Sequence, residues 1–152
     1  MRPMPTLLPN AAALATTPVL LPTPHAVAAY CRELALCRSE RLLALGVDVR
    51  HRLCARVEVR GGPSGVAARP AQLLGPCLAA AAVGIVLVHN HPSGSPRPSA
   101  ADLRYTARMR LACQIVGIAL VDHVVVASGG WTSLAALGWP QAVDLTPQSA
   151  KL

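Results

Sequence analysis

The spacing of apolar and polar residues divides the chain into elements of two periods. "PHAVAAYCRELALC" (24–37) repeats apolar residues at helical spacing, with Pro24 at its start, and predicts a first helix. "RLLALGVDVRHRLCARVEVRGG" (41–62) predicts a hairpin of strands 41–49 and 53–60, joined by a short polar stretch around Arg50 and His51. The second of these strands alternates strictly: Ala55, Val57 and Val59 form an apolar face, Arg56, Glu58 and Arg60 a charged one. "AQLLGPCLAAAA" (71–82) suits a helix that Gly75 and Pro76 kink or delay. "VGIVLV" (83–88) is a short apolar run of the kind that forms a strand buried on both faces. "SAADLRYTARMRLACQIVG" (99–117) predicts a helix stopped by Gly117. "IALVDHVVVAS" (118–128) reads as one long strand or a pair, and "GGWTSLAALGWP" closes the unit. Strands and helices alternate, so the fold class is α/β or α+β, in layers.

Composition sharpens this picture only in places. Of 152 residues, 53% are hydrophobic and 14% charged, which excludes a disordered chain and allows one domain with a real core. There is no Phe, so that core must be built from Ala, Val, Leu and Ile. Residues 1–23 read as a flexible Pro/Ala/Thr-rich arm, 24–140 as the domain and 141–152 as a tail. Five prolines within the arm, and Pro24 directly after it, leave no continuous apolar core for a signal peptide. No apolar run reaches the roughly 18 residues of a membrane span. Five cysteines, odd in number and without a Cys-x-x-Cys pair, point to reduced thiols and a cytoplasmic protein rather than a disulfide framework. The net charge of +7, nearly all from arginine, is compatible with a nucleic-acid partner, but no Lys/Arg cluster marks a patch.

The chemistry concentrates in "VHNHPSGSPRPSAAD" (88–102). His89 and His91, two apart in an extended segment, share one side of the chain directly after the buried strand. Neutral imidazole is a common zinc ligand, and Asp102 follows after a loop pinned by Pro92, Pro96 and Pro98. Two histidines and a carboxylate leave a tetrahedral ion one open position, the arrangement of a catalytic site. The same residues also support a plainer reading, in which Ser99 and Asp102 form a capping box and the histidines are structural. Hydrolysis also needs a base. Glu58, the only acid between residues 49 and 101, is the candidate by elimination, with ion pairing to Arg56 or Arg60 as its alternative role. Asp122 and His123 form a further pair that either orients a ligand imidazole or serves as a buried structural pair.

"HNHPSGSPRPSAAD", Thr106, "VGIALVDHVVV" and "GGWTSL" together resemble the JAB/MPN-type domain of the bacterial RadC-like proteins, over residues 40 to 138. His89, His91, Ser99 and Asp102 fit the JAMM metalloprotease signature, His-x-His-x7-Ser-x2-Asp, without a gap. The resemblance implies a three-layer domain with a central mixed sheet flanked by helices. It implies Zn2+ held by His89, His91 and Asp102, Ser99 positioning water or stabilising an oxyanion, and an upstream glutamate as general acid/base. The implied function is a zinc-dependent metallopeptidase or isopeptidase acting on a peptide or protein. An inactive MPN scaffold and a DNA-repair-associated accessory protein are the alternatives. The sequence departs from the pattern twice. The family's glutamate lies several residues before an Arg-Gly pair, but here Glu58 stands two before Arg60-Gly61, and Arg56 holds the expected position. The helix that usually opens Pro-Arg-Glu reads Pro70-Ala71-Gln72.

Overall fold

A computed structural model of the chain describes residues 17–61 and 68–139, with the backbone of Thr6–Leu7. Most of the expected arm, and the tail, lie outside the described residues. Six strands make one mixed sheet: β1 (Thr6–Leu7), β2 (Arg41–Val47), β3 (Leu53–Arg60), β4 (Gly84–Asn90), β5 (Ala119–Ala127) and β6 (Gly130–Ser133). Their spatial order is β1-β3-β2-β4-β5-β6. Only β4 and β5 run parallel, and parallel neighbours need a crossover. That crossover is the long helix α3 (Ala100–Val116), which follows α1 (Pro24–Tyr30) and α2 (Pro70–Ala79) in the chain.

The two sheet faces carry separate cores. Leu42, Ala44, Val57, Val59, Ile85 and Leu87 pack with Leu73 and Cys77 of α2 and Met109 and Cys113 of α3. Leu43, Leu45, Val86, Val88, Val124 and Val126 pack on the other face with Val27 and Ala28 of α1 and with Leu34. The expected three-layer α/β architecture is therefore present. It explains why β2 and β4 read as unbroken apolar runs: both of their faces are covered.

Local signals account for the helix bounds. Ser99 caps α3, its Oγ accepting from Asp102 N at 3.1 Å while the Asp102 carboxylate accepts from Ser99 N at 2.6 Å. Gly117 ends α3 at φ +77°, a left-handed conformation that costs glycine little. The apolar stretch 24–37 is not one helix. It tightens after Cys31 into a 3-10 turn, Arg32–Leu36, that buries Leu34. α2 begins at Pro70, and Pro76 lies inside it rather than delaying its start. Gln72, at the position where the family pattern has Glu, caps the helix by accepting from Arg69 N at 2.8 Å. The stretch 118–128 forms a single strand, β5. Within the stretch expected as an arm, Leu20 bridges to Arg52 and Leu21 is buried.

Candidate metal centre

β4 delivers the site. His89 lies near its end, and register pairs it with Leu42 on β2 and with Val125 on β5. Directly opposed residues point to the same face, so His89 faces the layer of α2 and α3. The chain then turns through the Pro-rich loop, and α3 begins with the capping box. Its first turn brings Asp102 beneath both imidazoles. Asp102 Oδ1 lies 3.1 Å from His89 Nε2, and Oδ2 lies 3.1 Å from His91 Nε2. The two Nε2 atoms are 2.9 Å apart. Capping thus leaves the Asp102 carboxylate within reach of both imidazoles. Ser99 Oγ accepts the cap's N–H, which leaves its own proton free to donate into the cleft.

The donor chemistry fits a cation. His91 Nδ1 is 2.9 Å from the Ser95 carbonyl oxygen, which can only accept. Nδ1 therefore carries the proton of the neutral ring, and Nε2 presents a bare lone pair to a second imidazole nitrogen and a carboxylate. A proton on one ring satisfies only some of these contacts. A divalent cation among the three donors satisfies all of them, and His89, His91 and Asp102 are the one such group among the described residues, with donor atoms within 4.8 Å of one another. Burial alone would raise the Asp102 pKa. The Ser99 backbone N–H, donating to the carboxylate at 2.6 Å, acts against burial and favours the anionic form.

Behind the donors lies a second histidine layer. His123 Nε2 is 2.8 Å from His89 Nδ1, and His123 Nδ1 is 2.6 Å from Thr106 Oγ1. His123 is 1% exposed, and this burial, first of all, lowers its pKa to about 3, so the ring is neutral. Asp122 faces elsewhere. Its carboxylate accepts from Ser133 Oγ at 2.6 Å and from the backbone N–H groups of His123 and Ala135. Of the pair flagged in the sequence, His123 touches a metal-ligand candidate and Asp122 pins the end of β6 and the turn that follows it.

Glu58 is not brought to the cluster. It pairs with Leu43, and Leu43 pairs with Val88, so Glu58 points to the face opposite His89. There it meets three arginines: Arg41 at 3.2 Å, Arg60 at 3.4 Å and Arg56 at 3.9 Å. The ion-pair reading of Glu58 holds, with the difference that the carboxylate is buried rather than solvated.

A second acid at the cleft is Glu40, which was not singled out from the sequence. It is half-buried, precedes β2, and lines an open cleft of about 810 Å³ with His89, His91, Ser99 and Asp102. Its segment is pinned by Asn90, the residue between the two histidines. Asn90 is fully buried on the other face. Its Oδ1 accepts from Arg41 N at 2.7 Å, and its Nδ2 donates to the carbonyls of Cys37 and Ser39 at 3.3 and 3.1 Å. Glu40 stands two residues before Leu42, which pairs with His89, and this puts it on the histidine side of the sheet.

A central mixed sheet between helical layers, with a His-x-His pair at the end of an inner strand and Asp in the first turn of the next helix, defines an α/β domain of the MPN/JAB type. The model of the RadC-like JAB domain matches residues 21–139. The chain belongs to that family. It is 35% identical over 102 residues to a UPF0758 protein of Geobacter sulfurreducens, covering 66% of this chain and 44% of the relative. A UPF0758 protein of Burkholderia mallei is 40% identical over 122 residues, covering 79% and 44%, and one of Cellvibrio japonicus is 38% identical over 122 residues, covering 79% and 54%. The chain thus spans about half the length of these curated relatives. No helix among the described residues is long and apolar enough to cross a membrane.

Proposed function

We propose that this chain is a zinc-dependent hydrolase of the JAMM type, a peptidase or isopeptidase, with His89, His91 and Asp102 as the ligands. The observation that carries the reading is the convergence of two imidazole nitrogens and a carboxylate, one nitrogen bare by hydrogen-bond accounting, in an open cleft. Zinc bound there supplies Lewis acidity, which polarises a carbonyl and eases deprotonation of water. The remaining work falls to the protein. Glu40 accepts a proton from the attacking water and returns it to the leaving amine. The free Ser99 hydroxyl proton is placed to bond an oxygen on which negative charge develops. The cleft is open enough to admit a peptide. Glu40 also weighs against the inactive-scaffold alternative, which the departure from the family pattern around Glu58 favours. A cytoplasmic location and a protein or peptide substrate belong to this proposal.

The test is direct. The purified protein is expected to hold about one zinc and to cleave members of a peptide library. Glu40→Gln is expected to keep the zinc and lose turnover by about 10²–10⁴-fold, the usual worth of a general base. A wild-type protein that takes up no zinc refutes the reading.

A further inference from the structure

The geometry points to a buried relay, from the Asp102 carbonyl through Thr106 and His123 to His89, that locks His89 in the tautomer whose Nε2 is free to bind metal. This rests on the metal reading above and adds two positioning residues to it, Thr106 and His123. The argument is an accounting of protons. The Asp102 backbone carbonyl has none to give. Thr106 Oγ1 lies 2.6 Å from it, and a hydroxyl carries one proton, so Thr106 donates there. The same Oγ1 lies 2.6 Å from His123 Nδ1 and has only acceptor capacity left, so Nδ1 carries the His123 proton. A buried ring without a carboxylate hydrogen-bonded to it stays neutral. Its Nε2 is then bare and accepts from His89 Nδ1 across 2.8 Å. His89 has spent its one proton on Nδ1, and its Nε2 faces His91 and Asp102.

The direction of the relay is fixed because it starts at a group that can only accept. It also couples two functions of one residue. The Asp102 side chain reaches the metal site while its own carbonyl anchors the relay that prepares the neighbouring ligand. α3 places both, since Thr106 is one helical turn after Asp102 and fully buried. His91 is set independently, by the Ser95 carbonyl.

The experiment is long-range 1H–15N correlation on metal-free protein labelled with 15N-histidine, with zinc affinity measured by competition against a chelator. Wild type is expected to show His123 and His89 both protonated at Nδ1. Thr106→Val keeps the side-chain shape but removes the acceptor. Both rings are then expected to switch to Nε2–H, and zinc affinity to fall by about 10–100-fold, the usual cost of removing an outer partner. Thr106→Ser is expected to restore both readouts. A wild-type His123 protonated at Nε2 overturns the relay whether or not the variant folds. So does a Thr106→Val protein with wild-type tautomers and zinc affinity. Wild-type protein with the stated tautomers but no affinity for zinc overturns the metal reading instead, and leaves the hydrogen-bond direction supported.

Discussion

Replacing Glu58 by Gln separates stability from function, because the residue lies on the face of the sheet away from the ligands. The carboxylate is buried to 9% side-chain exposure, and its shortest contact is to Arg41, itself 28% exposed, at 3.2 Å. The contacts to Arg60, 72% exposed, and to Arg56, at 3.9 Å, are weaker. One charge-assisted hydrogen bond is worth about 1.5–3 kcal/mol when desolvated, and partial exposure of Arg41 reduces that. Gln keeps an acceptor for Arg41 but removes the charge that balances three guanidiniums. The expected loss is about 1–2 kcal/mol, or about 4–8 °C in melting temperature for a domain of this size. Thermal and urea unfolding followed by circular dichroism measure it. Zinc content and turnover per folded molecule are expected to match wild type. A Glu58→Gln protein that melts like wild type but loses zinc or turnover would show that the β2–β3 register, and with it the choice of Glu40, is wrong.

His91→Ala removes one of three donors and is expected to abolish stoichiometric zinc, read by elemental analysis, with the melting temperature of the chelated protein changed little. Asn90→Ala leaves the Arg41 N–H and the Cys37 and Ser39 carbonyls without their buried partner. Denaturation should register about 2–3 kcal/mol, from the cost of unsatisfied groups, and turnover should fall further than zinc content because Glu40 loses its support. Burial raises the thiols of Cys31 and Cys77 to about 12 and of Cys113 to about 11, so at pH 8 they remain protonated. Alkylation of native protein followed by mass mapping should therefore mark partly exposed Cys37 first and leave those three unmodified until denaturant is added.

The candidate ligands and the cap that places them were legible in the sequence because each depends on short-range geometry. His89 and His91 need only an extended backbone, and Ser99 and Asp102 need only a helix start, so the motif's spacing suffices. The proposed acid/base was not legible in the same way, because choosing it requires knowing which face of β3 lies against the layer of α2 and α3. The alternation in β3 did separate Glu58 from Val57 and Val59. The missing step was that α2, which shares a layer with the Asp102-bearing α3, packs on the apolar face of that strand, and this turns Glu58 to the other side of the sheet. β2 concealed the answer for the opposite reason. Buried on both faces, it shows no alternation from Leu42 to Leu45, so nothing in its pattern marks the side on which Glu40 lies. That side emerges only from the pairing of Leu42 with His89. Asn90 was hidden likewise: between two ligands it reads as part of the metal loop, yet alternation turns it to the other face, where it holds the strand that presents Glu40. The dipeptide His89-Asn90 thus supplies a candidate ligand on one side of the sheet and, from the other, holds the segment that carries Glu40. A substitution at residue 90 is accordingly expected to affect proton transfer before it affects the metal.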